Sequence, residues 1–485
     1  MKKPGTLFDR DWEWDQLVRF TGDSSPRIAL GIVSGRRRQG KSWLLHALSE
    51  ATGGFYYEAI DGSESEIVRD LGVKLASFTG APAPFGFSSM EQALAALIEL
   101  GTRGDNTTVV LDEFPALAAA NPAAPSMLRN LLGPGGPQRN RSRARLLLCG
   151  SALHFMSGLL AGQSPLRGRA GLELVVPSFD FRLARQFWGI RDLVLAVKVF
   201  SIVGGTPAYR REFVADDVPR GPRDFDPWVA RTALSPAVPL FREARYLLAE
   251  DPAIGDLGLY HSVLSAIAYG ETTSAKIAGR LGRPATALAH PLNVLADAGF
   301  VAREQDPFHE KRVHYAITEP IVIFHHAILR PAWSDLERPG RAAEVWRRSK
   351  PTFETKVLGP AFESLCRTWV RNFSEPGTFG EPVRRVARGL VPDAGEHRTH
   401  EVDVVVIGDD DRLLAIGEAK WSESMGDADV ERLRRIATLL SKRGYDTRGT
   451  RFAFFCGTGF SAAFRSRREA EGCVLVDLKR LYGEA

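Results

Sequence analysis

The sequence predicts an α/β protein, a parallel sheet with helical additions followed by a second, mixed sheet, and three observations predict it. The apolar run Ile28-Ala29-Leu30-Gly31-Ile32-Val33 leads into Gly35-Arg36-Arg37-Arg38-Gln39-Gly40-Lys41-Ser42 and then Trp43-Leu44-Leu45-His46-Ala47-Leu48, the order strand, glycine loop, helix. Thr107-Thr108-Val109-Val110-Leu111 is a β-branched run that ends in Asp112-Glu113-Phe114-Pro115. Glu401–Ile407 and Leu413–Trp421 are two further apolar runs around a polar turn, with acids at strand ends.

The first element carries phosphate chemistry. Gly35 and Gly40 let backbone N–H groups turn inward, with Arg36, Arg37, Arg38 and Gln39 forming the loop between them, and the following helix adds the positive potential of its N-terminus. Lys41 is placed to reach the β and γ oxygens of a nucleotide, and the Ser42 hydroxyl to ligate Mg²⁺. The second element delivers adjacent carboxylates to the C-terminal end of a buried strand, where ligands of parallel sheets bind. Asp112 is expected to hold Mg²⁺ and Glu113 to polarise the attacking water. A third buried strand, Arg145–Cys149, ends in Gly150-Ser151; Ser151 either faces the γ-phosphate or simply ends the strand.

In these residues the chain resembles the prokaryotic and archaeal P-loop ATPases related to AAA+ and signalling NTPases, in the branch with a C-terminal domain of the restriction-endonuclease type. The resemblance rests on Phe8-Asp9-Arg10-Asp11-Trp12-Glu13, Gly35–Ser42, Asp112–Pro115, Cys149-Gly150-Ser151, Ser164–Arg169 and Gly204–Tyr209, in the family's order. It implies a helical lid entered at Gly204–Tyr209. It also implies a transition-state role for Arg169, and less so Arg167, within or across subunits, against the alternative of a solvated surface arginine.

Length and composition frame the rest. A chain of 485 residues exceeds one core, so about two to four domains are expected. The divisions expected are residues 1–195 as ATPase core, 196–250 as lid and connection, 251–335 as a winged helix and 350–485 as a nuclease-like domain, with Arg338–Arg341 as linker. No run approaches the ~20 apolar residues of a membrane span, and Met1–Gly5 does not open a signal peptide, so a cytoplasmic location is expected. The four cysteines show no paired spacing, and neither zinc nor a disulfide is expected from them. A net charge of +5 and a pI near 9.0 lean toward anionic partners. The densest basic run, Arg139–Arg145, follows Gly133–Pro137 and reads either as a phosphate-contacting loop or as a solvated face.

Beyond an irregular stretch at Pro219–Pro239, Leu257–Tyr269, Thr273–Leu281 and Thr286–Ala298 have helical spacing, each closed by a glycine. Phe300–Arg303 and Arg312–Ile317 read as two strands around a polar turn, and together these make a winged helix. Thr286 and His290 would then face bases, and Lys311 or Arg312 phosphates, although Pro291 obstructs a helix starting at Thr286 and such modules also dock proteins.

The C-terminal segment has its own constellation. Pro360–Val370 is an amphipathic helix bearing Glu363; Glu418 and Lys420 are two apart on one strand and so share a face, and Asp403 comes from the neighbouring strand. Asp403 and Glu418 are hard oxygen ligands for Mg²⁺ or Mn²⁺, Glu363 completes the shell, and Lys420 acts on water and the transition state. The pattern looks like the PD-(D/E)xK nuclease core with Val402 in place of its proline. An ordinary surface hairpin is the alternative, but Val404–Ile407 and Leu413–Ile416 are too apolar for one, which leaves the acids at the rim of a buried sheet. Two functions follow as expectations: an ATP-gated, metal-dependent nuclease acting on DNA, or a nucleotide-dependent switch that binds DNA or a protein partner without cleaving. A homo-oligomer is compatible with both.

Overall fold

The computed structural model describes residues 1–103, 106–136, 139–250, 254–421 and 424–484. They divide into two compact units, residues 1–178 and residues 179–250 with 254 onward. Among the described residues no helix is long and apolar enough to cross a membrane.

In the first unit β1 (Ala29–Ser34), β2 (Phe55–Glu58), β3 (Thr107–Asp112), β4 (Ala144–Gly150) and β5 (Ala170–Val175) form one parallel sheet in the order β2-β3-β4-β1-β5. Both faces are covered, so the central strands are near-continuous apolar runs rather than alternating ones. Leu30, Ile32, Val109, Leu111, Leu146 and Leu148 share a core with Ile67, Leu71, Leu94 and Leu97 of the helices Glu64–Thr79 and Met90–Glu99. The alternate residues Val33, Val110, Leu147 and Cys149 pack instead with Trp14, Leu17, Leu44 and Leu48 of Asp11–Thr21 and Lys41–Thr52. Because β4 stands between β1 and β3, the glycine loop and the paired acids leave the sheet at one edge, one strand apart.

The second unit begins at Phe179, earlier than the boundary at 195 drawn from sequence. Helices Phe181–Trp188 and Leu193–Val203, capped by the side chains of Asp180 and Asp192, belong to it, and the second packs on Pro320–Phe324. Three helices, Leu257–Ala268, Ser274–Leu281 and Ala289–Asp297, precede an antiparallel ribbon of β6 (Val301–Gln305) and β7 (Val313–Ile317). Pro291 falls in the first turn of its helix, where the missing N–H has no intrahelical acceptor to lose. The expected helix start at Thr286 is replaced by a 3₁₀ turn at Ala285–Leu288.

The tip of the ribbon is inserted rather than free. Phe308 is 3% exposed and packs into the core of the C-terminal sheet, edge-on to Tyr445 at 5.4 Å, while Arg443 donates to the Phe308 carbonyl at 2.7 Å. Gly389 accommodates it, since a Cβ there would meet the Phe308 ring at 2.6 Å. Phe308→Ala is expected to cost about 3–5 kcal/mol, the range for emptying a buried phenylalanine site; a urea midpoint within error of wild type would show that the insertion contributes nothing.

The expected linker is also different. Ala342–Phe353 is a helix that runs through a π turn at Glu354–Leu358 into Gly359–Asn372. Trp346 and Phe353 are each 2% exposed, both rings lie 5.9 Å from Phe225, and Trp346 donates to Asp226 at 2.8 Å. Linker-like composition at Arg338–Arg341 therefore marks a turn before a packed helix, not a break.

The last sheet, β8 (Arg385–Asp393), β9 (Arg398–Ile407), β10 (Leu413–Lys420), β11 (Arg451–Cys456) and β12 (Val474–Asp477), has the order β12-β11-β10-β9-β8. The β8, β9 and β10 ladders are antiparallel; β10, β11 and β12 run parallel. Gly359–Asn372 covers one face, with Phe362 against Trp421 and Trp369 against Phe455, and Asp427–Lys442 covers the other through Val430, Leu433, Ile436 and Leu440. β8 is the strand the sequence concealed: Gly389 and Pro392 interrupt its pattern, and both are tolerated because it is an edge strand.

Candidate functional site

The glycine loop joins the C-terminal end of β1 to the N-terminus of Lys41–Thr52. Gly40 has φ 83° and Arg38 φ 67°, so the loop turns through left-handed positions before the helix begins. A Cβ on Gly35 would stand 2.5 Å from the Val176 carbonyl oxygen, which excludes any larger residue. Lys41 is 6% exposed and donates to the Arg36 carbonyl at 2.8 Å, holding its ammonium over the loop; burial lowers its pKa, partly offset by the acids across the cleft.

Those acids stand where the loop faces them. Asp112 is 1% exposed; burial alone would raise its pKa, but hydrogen bonds from Cys149, Ser42, Tyr56 and the Glu113 N–H hold it below the usual value. The Tyr56 hydroxyl donates at 2.6 Å and the Glu113 N–H at 2.9 Å. Asp112 is therefore an ionised carboxylate bonded to the Ser42 hydroxyl, the pair expected to hold Mg²⁺. Glu113 sits at φ 48°, and Ser151 donates to it at 3.1 Å, so Ser151 orients the second acid as well as ending β4.

Three contributors escaped the sequence reading. Arg10, buried at 6% exposure, donates to the Gln39 carbonyl at 3.2 Å and the Pro177 carbonyl at 2.7 Å while paired to Glu13 at 3.1 Å, clamping the loop from behind. Its only sequence signal was the motif around Phe8–Glu13. Tyr56 and Cys149 reach Asp112 from β2 and β4; the buried Cys149 thiol is pushed well up by burial and by Asp112, which makes it a neutral donor.

Two other basic features point elsewhere. Ala170 pairs with Leu30 at the start of β1, so Arg169 lies at the edge of the sheet opposite the loop, roughly 15 Å away along the strands. It is exposed, as is Arg167, which donates to the Gly162 carbonyl at 2.7 Å. Neither arginine reaches its own chain's loop. The run Arg139–Arg145 leads into the start of β4 at that same distal edge, with Pro137 outside the described residues. Arg145 is fully buried and bonds the Arg27, Ser25 and Asp23 carbonyls, a structural arginine, which leaves Arg141 and Arg143 as the exposed members.

In the C-terminal sheet the Gly417↔Val404 register continues to set Glu418 opposite Asp403, on the face that also carries Lys420. Asp403 accepts from the Ala419 N–H at 2.9 Å, and Arg367 donates to the Asp403 carbonyl at 3.0 Å. Burial, then the charge of Asp403, pushes Glu363 up to about 8; burial likewise pushes Asp403 up to about 6. The other two residues are engaged differently from expectation: Glu418 is ion-paired with Arg432, and Lys420 with Asp429 at 2.8 Å, both partners on the helix Asp427–Lys442. Glu363, Asp403 and Glu418 are not among the described groups whose ligand atoms gather within 4.8 Å. No sequence pattern could show that the polar residues of Asp427–Lys442 turn onto the strands.

The raised acids have a sign that can be measured. Between the ordinary carboxylate value of about 4 and these raised values the folded chain holds more protons than the unfolded one, so stability falls as pH rises through that window. In metal-free buffer the urea midpoint is expected to drop from about pH 5 to about pH 8, and Glu363→Gln to flatten that slope. An unchanged slope in the variant would place the protons elsewhere.

Of the ribbon and helix residues, Thr286, His290 and Lys311 are exposed. Arg312 is not free, because it pairs at 3.2 Å with the buried Asp306, which also meets His314 at 3.3 Å.

The family DUF234, archaeal and bacterial proteins of unknown function, matches residues 327–433. An uncharacterized protein of Methanocaldococcus jannaschii is 22% identical over 422 residues, 85% of this chain and 87% of the relative. Among solved structures, a Walker-type ATPase of Pyrococcus abyssi shares 19% identity over 66% of this chain and 96% of its own, with a TM-score of 0.47. The ORC2 protein of Aeropyrum pernix, as ADPNP–ADP complexes, shares 16% over 73% and 96%, with a TM-score of 0.41. The glycine loop closed by Lys41 and Ser42 and the acids at the end of β3 are brought to one edge of a parallel sheet, the arrangement of a P-loop nucleotide-binding fold.

Proposed function

We propose that the first unit binds ATP with Mg²⁺ and hydrolyses it. The observation that carries this reading is the convergence of Lys41, Ser42, Asp112, Glu113 and Ser151 at the C-terminal edge of one parallel sheet, with Asp112 ionised and bonded to Ser42. Loop N–H groups and Lys41 bind the phosphates, Asp112 and Ser42 hold the cation, and Glu113, oriented by Ser151, takes the proton of the attacking water. Magnesium supplies neutralisation of the phosphate charge when bound. Arg169, on the distal edge, is assigned to a neighbouring copy's site in a homo-oligomer.

For the second unit we propose a metal-dependent nuclease-like site acting on DNA under nucleotide control, with Glu363 and Asp403 as its core. Two neighbouring carboxylates held above their ordinary range by burial, which Arg367, Arg388 and Arg432 offset only in part, are a donor set suited to Mg²⁺ or Mn²⁺. Glu418 joins them by leaving Arg432, and Lys420 acts on the phosphate by leaving Asp429. The three helices and ribbon are assigned as a winged helix that presents Thr286 and His290 to DNA. A second reading, a switch that binds DNA or a protein partner without cutting, is favoured by those two ion pairs, which neutralise Glu418 and Lys420 within the fold.

Incubating the protein with plasmid and single-stranded DNA, with Mg²⁺ or Mn²⁺ and with or without ATP, tests all of this at once. Phosphate release with strand cleavage supports the nuclease, phosphate release alone supports the switch, and failure to bind ATP·Mg²⁺ overturns the assignment of the loop.

A further inference from the structure

Within the second unit, the helix Leu257–Ala268 meets the segment that follows the ribbon, where Pro320–Phe324 passes into a π turn at His325–Leu329. Three imidazoles face one another there. Each of His261, His325 and His326 offers a ring nitrogen within 4.8 Å of the other two. His325 and His326 are 2% and 1% exposed, and their rings meet edge to face at 5.1 Å, with the His261 ring 5.5 Å from that of His326.

The hydrogen-bond inventory is what sets the cluster apart. Nδ1 of His261, Nδ1 of His325 and both nitrogens of His326 are buried without a hydrogen-bond partner. Buried polar atoms in folded proteins are almost always satisfied, and each exception calls for a reason. Side chains as polar as these would be replaced at little cost by leucine or phenylalanine if packing were their only duty. The π turn brings consecutive histidines to one side of the helix, and such bulges recur at functional sites.

We propose that His261, His325 and His326 bind one divalent transition-metal ion of the zinc class. Neutral imidazole nitrogens are the preferred ligands of Zn²⁺, Co²⁺, Ni²⁺ and Cu²⁺, whereas Mg²⁺ and Ca²⁺ require oxygen. The rings are neutral at physiological pH because burial, first, disfavours their charged forms. Small side-chain rotations close the nitrogens to tetrahedral spacing, and three protein ligands leave a fourth position open. Arg245 and Arg330 place positive charge beside the cluster, and Arg330 donates to the His261 carbonyl at 3.3 Å. That charge opposes a bare dication and favours one carrying an anionic fourth ligand such as hydroxide or a carboxylate. The other grouping of this kind among the described residues, Asp393 with Glu396 and His400, differs because Asp393 is already bonded to Arg435 and His400; it provides a control.

The test uses the full chain, stripped with a chelator and titrated with Co²⁺ and then Zn²⁺. One equivalent of Co²⁺ should give the visible ligand-field bands of a tetrahedral site, and Zn²⁺ should displace it and raise the melting temperature. His261→Gln, at the more accessible rim of the cluster, should keep the wild-type circular dichroism spectrum and lose affinity by about 100-fold or more, as expected for removing a first ligand. His326→Gln should behave alike, and His400→Gln should bind as wild type. Absence of Co²⁺ binding by the folded wild-type chain overturns the proposal, as do bands that survive in both His261→Gln and His326→Gln or vanish in His400→Gln alone.

Discussion

Lys41→Ala is expected to weaken ATP·Mg²⁺ binding by about 100-fold or more, which corresponds to about 2.7 kcal/mol. The ammonium is buried, held over the loop by the Arg36 carbonyl, and set beside Asp112 and Glu113. In a desolvated site an opposing charge is worth more than in water. Glu113→Gln separates binding from chemistry: glutamine keeps the size and a contact to Ser151 but cannot accept the water's proton, so affinity should persist while turnover falls by about 10²–10⁴-fold. Calorimetry with ATP·Mg²⁺ and a phosphate-release assay read the two effects. An unchanged affinity in Lys41→Ala would show that the loop is not the nucleotide site.

Asp403→Ala is expected to reduce metal-dependent DNA cleavage by about 10³-fold, since the loss of a hard ligand removes several kcal/mol of transition-state charge stabilisation. Asp403 is the residue to change because its charge acts on Glu363, its carboxylate accepts from the Ala419 N–H of β10, and its own backbone is anchored by Arg367. The geometry adds a second, opposite expectation. Arg432→Ala frees Glu418 and should raise Mn²⁺ affinity and cleavage together, whereas in a non-cleaving switch it should do neither. Lys420→Ala should leave metal binding intact and slow cleavage. Melting curves guard against a trivial loss of fold. Cleavage that survives Asp403→Ala in a folded chain would sink the nuclease reading.

The ATPase loop was legible because its determinants are local. Gly35, Gly40, Lys41 and Ser42 lie within one turn between a strand and a helix, and backbone conformation alone aims them at a phosphate. Asp112 and Glu113 were legible for a related reason, since a buried strand of the β-branched run Thr107–Leu111 delivers whatever follows it to the ligand edge of a parallel sheet. Arg169 shows what topology adds to a resemblance: its motif was readable, but only the pairing of Ala170 with Leu30 places it at the distal edge. Arg10 is the converse, a clamp on the loop whose partners, the Gln39 and Pro177 carbonyls, are far from it in the chain.

The C-terminal sheet divides along the same line. Period-two alternation determined that Glu418 and Lys420 share a face and that Asp403 stands on the neighbouring strand. It did not determine that Arg432 and Asp429 of one helix turn onto both, that Phe308 of the ribbon fills the sheet's core, or that His261 meets the consecutive His325 and His326 in one cluster. The sequence by itself determined the phosphate loop, the strands β1, β3, β4, β6, β7, β9 and β10 and a few of the helices, because hydrogen-bonded periodicity and turn chemistry act over a few residues. Which charges are compensated, which arginines are structural and which rings converge was decided only by the tertiary structure. Burial and Coulomb interactions depend on distance in space, and the chain folds groups together across separations that no local pattern records.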